Sequence, residues 1–140
     1  MREYAAERIT LLLESFRQQL KHASRHRDED AIHDLRVSIR RLSEALRIFR
    51  QFFPEAKVKK VRRRLGVLMD HAAAVRDHDV TLLLLADAGE SAGPLAARLR
   101  EEREAVEREM VRELRRWTQR DYPARWPAKL LLHLPESAPQ

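Results

Sequence analysis

The sequence contains no cysteine, so neither disulfide bonds nor thiolate metal sites can form within this chain. Only three residues are glycine and 6% are aromatic, whereas 36% are charged. This composition argues against a β-sandwich or a β-barrel and favours long helices with charged outer faces. No apolar run approaches the length that spans a bilayer, and residues 1–4 do not begin a signal peptide. We therefore expect a cytoplasmic, all-α protein that is not a membrane protein.

The positive charge of the chain is concentrated in one stretch. The whole chain has a formal net charge of +6. Residues 33–64 contain eleven lysines and arginines but only three acids, so this stretch alone carries +8 and the remainder is slightly negative. A local positive field suits an anionic partner, such as a nucleic acid, another polyanion or an acidic membrane surface. The alternative is that this stretch is only a solvated, arginine-rich helix surface.

Apolar residues recur every three or four positions through most of the chain, which indicates amphipathic helices. We predict helices at about residues 2–23, 30–53, 54–75 and 94–120, with a further helical piece at 80–88. Four such helices with short connections form an antiparallel four-helix bundle over residues 1–120. The third helix should be kinked near Arg76–Asp79, because aspartate is poor inside a helix and good at its start.

The same pattern predicts which side chains face the core. On the third helix these are Val58, Val61, Leu65, Leu68, Ala72 and Val75, and on the fourth they are Leu95, Leu99, Val106, Met110, Leu114 and Trp117. Residues 121–140 form a proline-punctuated tail, in which Trp126 and residues 130–132 are too apolar to stay exposed. We expect this tail to pack on the bundle or to form the contact with a second copy.

The predicted second helix carries a row of cations, which lies about 125° around the helix from the apolar stripe. The row consists of His33, Arg36, Arg40 and Arg47. No acid interrupts these four positions, and their spacing of one to two turns, roughly 5–10 Å, can follow an extended anion. A second set of cations on one side of the third helix consists of Lys57, Lys60 and Arg64.

Two motifs in this sequence resemble those of a known family. The first is His33-x-x-Arg36-Val37-x-x-Arg40-Arg41-Leu42, followed by Ala45-Leu46-Arg47-x-Phe49. The second is Val75-Arg76-Asp77-His78-Asp79-Val80. Both resemble the motifs of CHAD domains, the conserved-histidine α-helical domains, which bind inorganic polyphosphate through basic helix surfaces. Members of that family resemble pairs of four-helix bundles related by a pseudo-twofold. Because this chain is long enough for only one bundle, we expect a symmetric homodimer.

The resemblance assigns phosphate binding to the matched cations, and helix geometry adds the set on the third helix. The predicted polyphosphate site is His33, Arg36, Arg40, Arg41, Arg47, Lys57, Lys60, Arg64 and Arg76. Arginine suits this role because its planar fork makes two parallel bonds to phosphate oxygens. His33 would donate a hydrogen bond to phosphate, unless it packs against the first or fourth helix. Asp77 and Asp79 would cap the following helix and hold Arg76 or a second-helix arginine, or would act as caps alone.

Other functions have less support in the residues. No aromatic residue lies within the basic rows, which argues against base stacking and leaves backbone-only nucleic-acid binding as the alternative. His22 and His26 have i, i+4 spacing but no acids in register, so a metal-binding or phosphohydrolase accessory protein is a weaker hypothesis. The basic row supplies neither an acid–base partner nor a bound cation, so we expect no catalysis and no cofactor. Polyphosphate granules are the cytoplasmic location that the predicted ligand suggests.

Overall fold

The computed structural model of the chain describes residues 1–133. Within these residues the fold is all-α, with five α-helices, two short 3-10 helices and no strand, so the all-α part of the predicted fold is confirmed. The α-helices are α1 (Arg2–Arg25), α2 (Glu29–Ile48), α3 (Glu55–Asp87), α4 (Pro94–Arg120) and α5 (Trp126–Lys129). The 3-10 helices are Arg50–Phe52 and Tyr122–Arg125.

Local chemistry sets the boundaries of α2 and α4. Asp28 caps α2, since its side chain accepts a hydrogen bond of 2.8 Å from the amide of Ala31. Two further acids occupy the first turn of α2, where they interact favourably with the helix dipole. Pro94 occupies the first turn of α4, where its missing amide proton is no loss. Asp121 ends α4 in the left-handed region, with a φ of 44°, so the chain leaves the helix direction there.

The four long helices enclose one hydrophobic core. α1 packs against α2, α2 against α3, α3 against α4, and α4 against α1. All six core positions predicted for α3 are buried. On α4 the prediction was wrong for Leu95, which is 56% exposed, because the neighbouring Ala96 occupies the buried position instead.

The predicted end of the second helix was also wrong. α2 ends at Ile48 and not at residue 53, and a 3-10 turn over Arg50–Phe52 follows it. Pro54 disfavours helical backbone in the residue before it, and Phe53 is accordingly extended, with a φ of −131° and a ψ of 161°. The chain therefore unwinds before the proline, although Phe53 still contributes to the core.

α3 runs without interruption from Glu55 to Asp87. Residues 76–79 therefore begin no new helix, and neither Asp77 nor Asp79 acts as a helix cap. A tertiary contact outweighs the weak helix propensity of aspartate here, because Asp79 accepts a hydrogen bond from Arg103 of α4. The predicted kink at these residues stays a prediction.

Residues 121–133 pack against the long helices of the same chain. Trp126, Leu130 and Leu132 are buried. The ring of Trp126 is parallel to that of Phe16, with 9° between the planes and 6.2 Å between the centroids, and Trp117 meets both rings edge-on. The chain itself covers these three side chains, whereas Leu131 is 41% exposed, so Leu131 alone of the predicted apolar tail residues lies at the surface. Residues 134–140 of the predicted tail lie outside the described residues.

Candidate functional site

The nine predicted phosphate-binding cations are distributed over several places in the fold. Four of them form what we call the α2 row, which is His33, Arg36, Arg40 and Arg47. Arg41 points to another side of α2, where it lines a shallow recess against α1 together with Asp34 and Gln19. Lys57, Lys60 and Arg64 belong to the first half of α3, and Arg76 belongs to its second half. The fold therefore separates residues that the sequence analysis placed in one site.

The α2 row lies near the side of α2 that meets α3. Ser43 is one heptad after Arg36 and accepts a hydrogen bond of 3.3 Å from Arg62 Nε of α3. Arg36 is half-buried, and its Nε is buried without a hydrogen-bond acceptor among residues 1–133. A buried donor without an acceptor costs stability, and Arg36 Nε contributes no hydrogen bond to the described fold.

The remaining residues of the α2 row differ in their availability to a ligand. His33 and Arg40 are exposed and make no hydrogen bond or ion pair within the described part of the chain. His33 is therefore not buried against α1 or α4. Arg47 Nε donates a hydrogen bond of 3.0 Å to Glu44 Oε1 on the same helix, and this bond raises the pKa of Arg47 and lowers that of Glu44. Arg47 is therefore the least available member of the row.

The residues of the second motif connect helices. Arg76 Nη1 donates a hydrogen bond of 2.9 Å to Glu29 Oε1 at the start of α2. Asp79 Oδ1 accepts one of 2.9 Å from Arg103 Nε of α4, and this bond is the main cause of the raised pKa of Arg103. Asp77 is exposed. Neither aspartate forms a side-chain hydrogen bond or ion pair with Arg76 or with an α2 arginine within residues 1–133, and Asp79 instead holds Arg103.

A second concentration of cations surrounds a recess between α3 and the C-terminal segment. The recess has a volume of about 520 Å³. Its charged lining residues are Lys57, Lys60, Arg64, Arg120, Arg125 and Lys129, and we call this site the basic recess. All six are cations, three from α3 and three from the end of α4 and the segment that follows. Val61, Tyr122 and Trp126 form its apolar wall.

The C-terminal segment brings its cations to α3 through two short turns. The Tyr122–Arg125 turn places Arg125 at the basic recess, and Lys129 follows four residues later on the same side of the segment. The guanidinium carbon of Arg64 lies 3.8 Å from the centroid of the Tyr122 ring. This cation–π contact holds Arg64 against the wall of the recess.

The charges in the basic recess act on one another. Partial desolvation lowers the pKa of Lys129, and the nearby charges of Lys60, Lys57, Arg125 and Arg64 lower it further. None of the six cations is paired with an acid within residues 1–133. By contrast, several arginines of α4 bond to acids of their own helix. A bound anion would offset the mutual repulsion of the recess cations.

Comparison with protein-family models places this geometry in a family. Residues 7–140, nearly the whole chain, match the model of the CHAD domain. The chain belongs to the CHAD domain family. This confirms the family that the two sequence motifs indicated. Searches of curated proteins and of solved structures find no match to this CHAD domain.

Half of the cations in the basic recess of this CHAD domain were missed by the sequence analysis. Arg125 and Lys129 were not predicted, because the residues after α4 have no helical periodicity, and Arg120, the last residue of α4, was not singled out. A signal was nevertheless present in residues 122–133, which contain two strong cations and no acid. These two cations, Arg125 and Lys129, flank the apolar Trp126 at i, i+4 spacing.

The described part of the CHAD domain contains no helix long and apolar enough to cross a membrane. Within residues 1–133 no three potential metal ligands from histidine, aspartate or glutamate come together. The rings of His22 and His26 lie near the end of α1 with 4.8 Å between their centroids. The α2 row and the basic recess both present guanidinium or ammonium donors, which match the oxygens of an anion.

Proposed function

We propose that this CHAD domain binds inorganic polyphosphate and does not transform it. The observation that carries the proposal is that the cations of two surfaces, Arg47 excepted, have no acid partner among the described residues. Polyphosphate is an extended chain of negative charges without bases. A protein that binds it therefore requires spaced cations and requires no groups that read or stack on bases. Membership of the CHAD family supports the same ligand.

Binding to the phosphates of a nucleic acid is the alternative that the same cations permit. Polyphosphate is favoured because the aromatic rings near the basic recess are covered. Arg64 lies over the ring of Tyr122, and Trp126 is only 4% exposed. A base stacking on Tyr122 would compete with Arg64 for the ring, and Trp126 is too buried to stack on a base.

The proposal includes an assembly of two copies. We propose that the four long helices act as one antiparallel bundle and that two bundles associate as a symmetric homodimer. The chain buries Leu130 and Leu132 of its tail itself, so we place the contact at other exposed apolar residues. Leu83, Leu84 and Leu95, near the connection between α3 and α4, are each more than half exposed and are the residues we assign to it.

Binding of long polyphosphate, tRNA and duplex DNA, measured over a series of matched salt concentrations, tests the ligand class. We expect polyphosphate to bind most tightly and its log affinity to fall linearly with log salt, since several phosphate contacts release counterions. Equal or tighter binding of either nucleic acid would contradict the proposal. Release of orthophosphate from polyphosphate during incubation with the protein would contradict its non-catalytic part.

A further inference from the structure

We propose that the basic recess is a separate binding site for a compact inorganic oligophosphate, including the end of a polyphosphate chain, and that the α2 row contacts the chain along its length. The inference rests on the proposed function for the chemical class of the ligand. It adds that the two cationic surfaces recognise different parts of that ligand. The C-terminal segment, which supplies Arg125 and Lys129, is then part of the binding site.

The two surfaces lie on different sides of α3. Lys60 and Arg64 are one helical turn apart on α3 and both line the basic recess. The other side of the recess is lined by cations that come later in the chain. Arg62, two residues after Lys60 and so about 200° around the helix, donates its hydrogen bond to Ser43 of α2. A compact ligand in the recess therefore does not reach the α2 row.

The shape and charge of the basic recess suit a compact anion. Six cations surround about 520 Å³, a volume within the range of roughly 300–1,000 Å³ for small-molecule sites. A terminal phosphate group carries about −1.5 to −2 charges at pH 7, because its second pKa lies near 6. An end therefore has a higher charge density than the interior of the chain, and converging cations favour it over an extended segment.

The wall of the recess indicates that the ligand lacks a base. The face of Tyr122 is already occupied by the guanidinium of Arg64. Trp126 packs into the core against Phe16 and Trp117. The groups that remain for a ligand are guanidinium and ammonium donors, which match phosphate oxygens. The lowered pKa of Lys129 agrees with this, since crowded cations without an acid gain most from a bound anion.

Inorganic tripolyphosphate is the probe for this site, with binding measured by titration calorimetry on the full chain. The recess variant is Arg125→Gln/Lys129→Gln and its charge-matched control is Arg36→Gln/Arg40→Gln on the α2 row. None of these side chains belongs to the hydrophobic core. We expect the recess variant to lose about 100-fold in affinity for tripolyphosphate, as two charged contacts are removed, and the control to change less than about threefold. Both variants should weaken the binding of long polyphosphate.

The other outcomes separate this inference from the proposed function. Equal losses of tripolyphosphate binding in the two variants would overturn the separate site. Binding of long polyphosphate without any binding of tripolyphosphate would overturn the recess and leave the proposed function standing. Binding of tripolyphosphate in the recess without binding of long polyphosphate would refute the proposed function and the binding of a chain end, and would support only a site for compact oligophosphates. Tighter binding of ATP than of tripolyphosphate would overturn the assignment of a ligand without a base.

Discussion

Removal of two arginines from the α2 row tests whether polyphosphate binds at a specific site or is attracted only by the overall positive charge of the protein. The variant Arg36→Gln/Arg40→Gln removes two charges that have no acid partner within residues 1–133. The matched control is Arg112→Gln/Arg115→Gln on the outer face of α4, where both arginines are exposed and likewise have no acid partner within those residues. Arg47 is left unchanged because it already bonds to Glu44.

The size of the effect follows from the hydrogen bonds to phosphate that the two substitutions remove. A hydrogen bond to a charged group contributes about 1.5–3 kcal/mol, so removal of one from each arginine weakens binding by roughly 3–6 kcal/mol. Since about 1.4 kcal/mol corresponds to tenfold, affinity for long polyphosphate should fall roughly 100-fold to 10,000-fold. The control removes the same net charge but no bound phosphate, and charges more than about 10 Å from the ligand are largely screened at 0.1 M salt. We expect its affinity to fall no more than a few-fold.

Fluorescence anisotropy with end-labelled long polyphosphate at several salt concentrations measures both effects. The slope of log affinity against log salt should become shallower by roughly 1.4 for the α2 variant. Each phosphate of a single-stranded polyanion that is no longer neutralised changes this slope by about 0.7, and the variant loses two such contacts. Circular dichroism and thermal unfolding check that both variants remain folded, as expected from side chains outside the core. Equal reductions of affinity in the α2 variant and the α4 control would refute the proposed site and leave only a generally basic protein.

Two further predictions concern the basic recess and the assembly. The affinity for tripolyphosphate should fall as pH rises through the pKa of Lys129, which lies below the ordinary value of 10.5. Lys129→Arg should remove this part of the decrease, because arginine stays charged. Identical alkaline titrations of the wild-type protein and the variant would contradict this prediction. Light scattering should show a dimer at micromolar concentration. The variant Leu84→Ser/Leu95→Ser should be a monomer, because serine buries far less apolar surface than leucine. A monomeric wild-type chain would refute the dimer.

The sequence alone determined the features that depend on neighbours along one helix. The recurrence of apolar residues every three or four positions identified all six core residues of α3, since a helix turns by about 100° at each residue. The start of α2 is likewise a local feature, because the cap by Asp28 and the interaction of the next two acids with the helix dipole act within one turn. The two motifs identified the family for the same reason, as each is a pattern within one helix.

Tertiary structure decided which cations come together. Helical periodicity gives the angle between two side chains on one helix, but it does not say which neighbouring element each one faces. Arg41 therefore lies against α1, and Lys60 lies against a segment more than fifty residues later, although the sequence analysis placed both in one site. Arg125 and Lys129 reach α3 because burial of Trp126 and Leu130 fixes the C-terminal segment there. That burial depends on contacts between distant parts of the chain, so no local pattern could have located the basic recess.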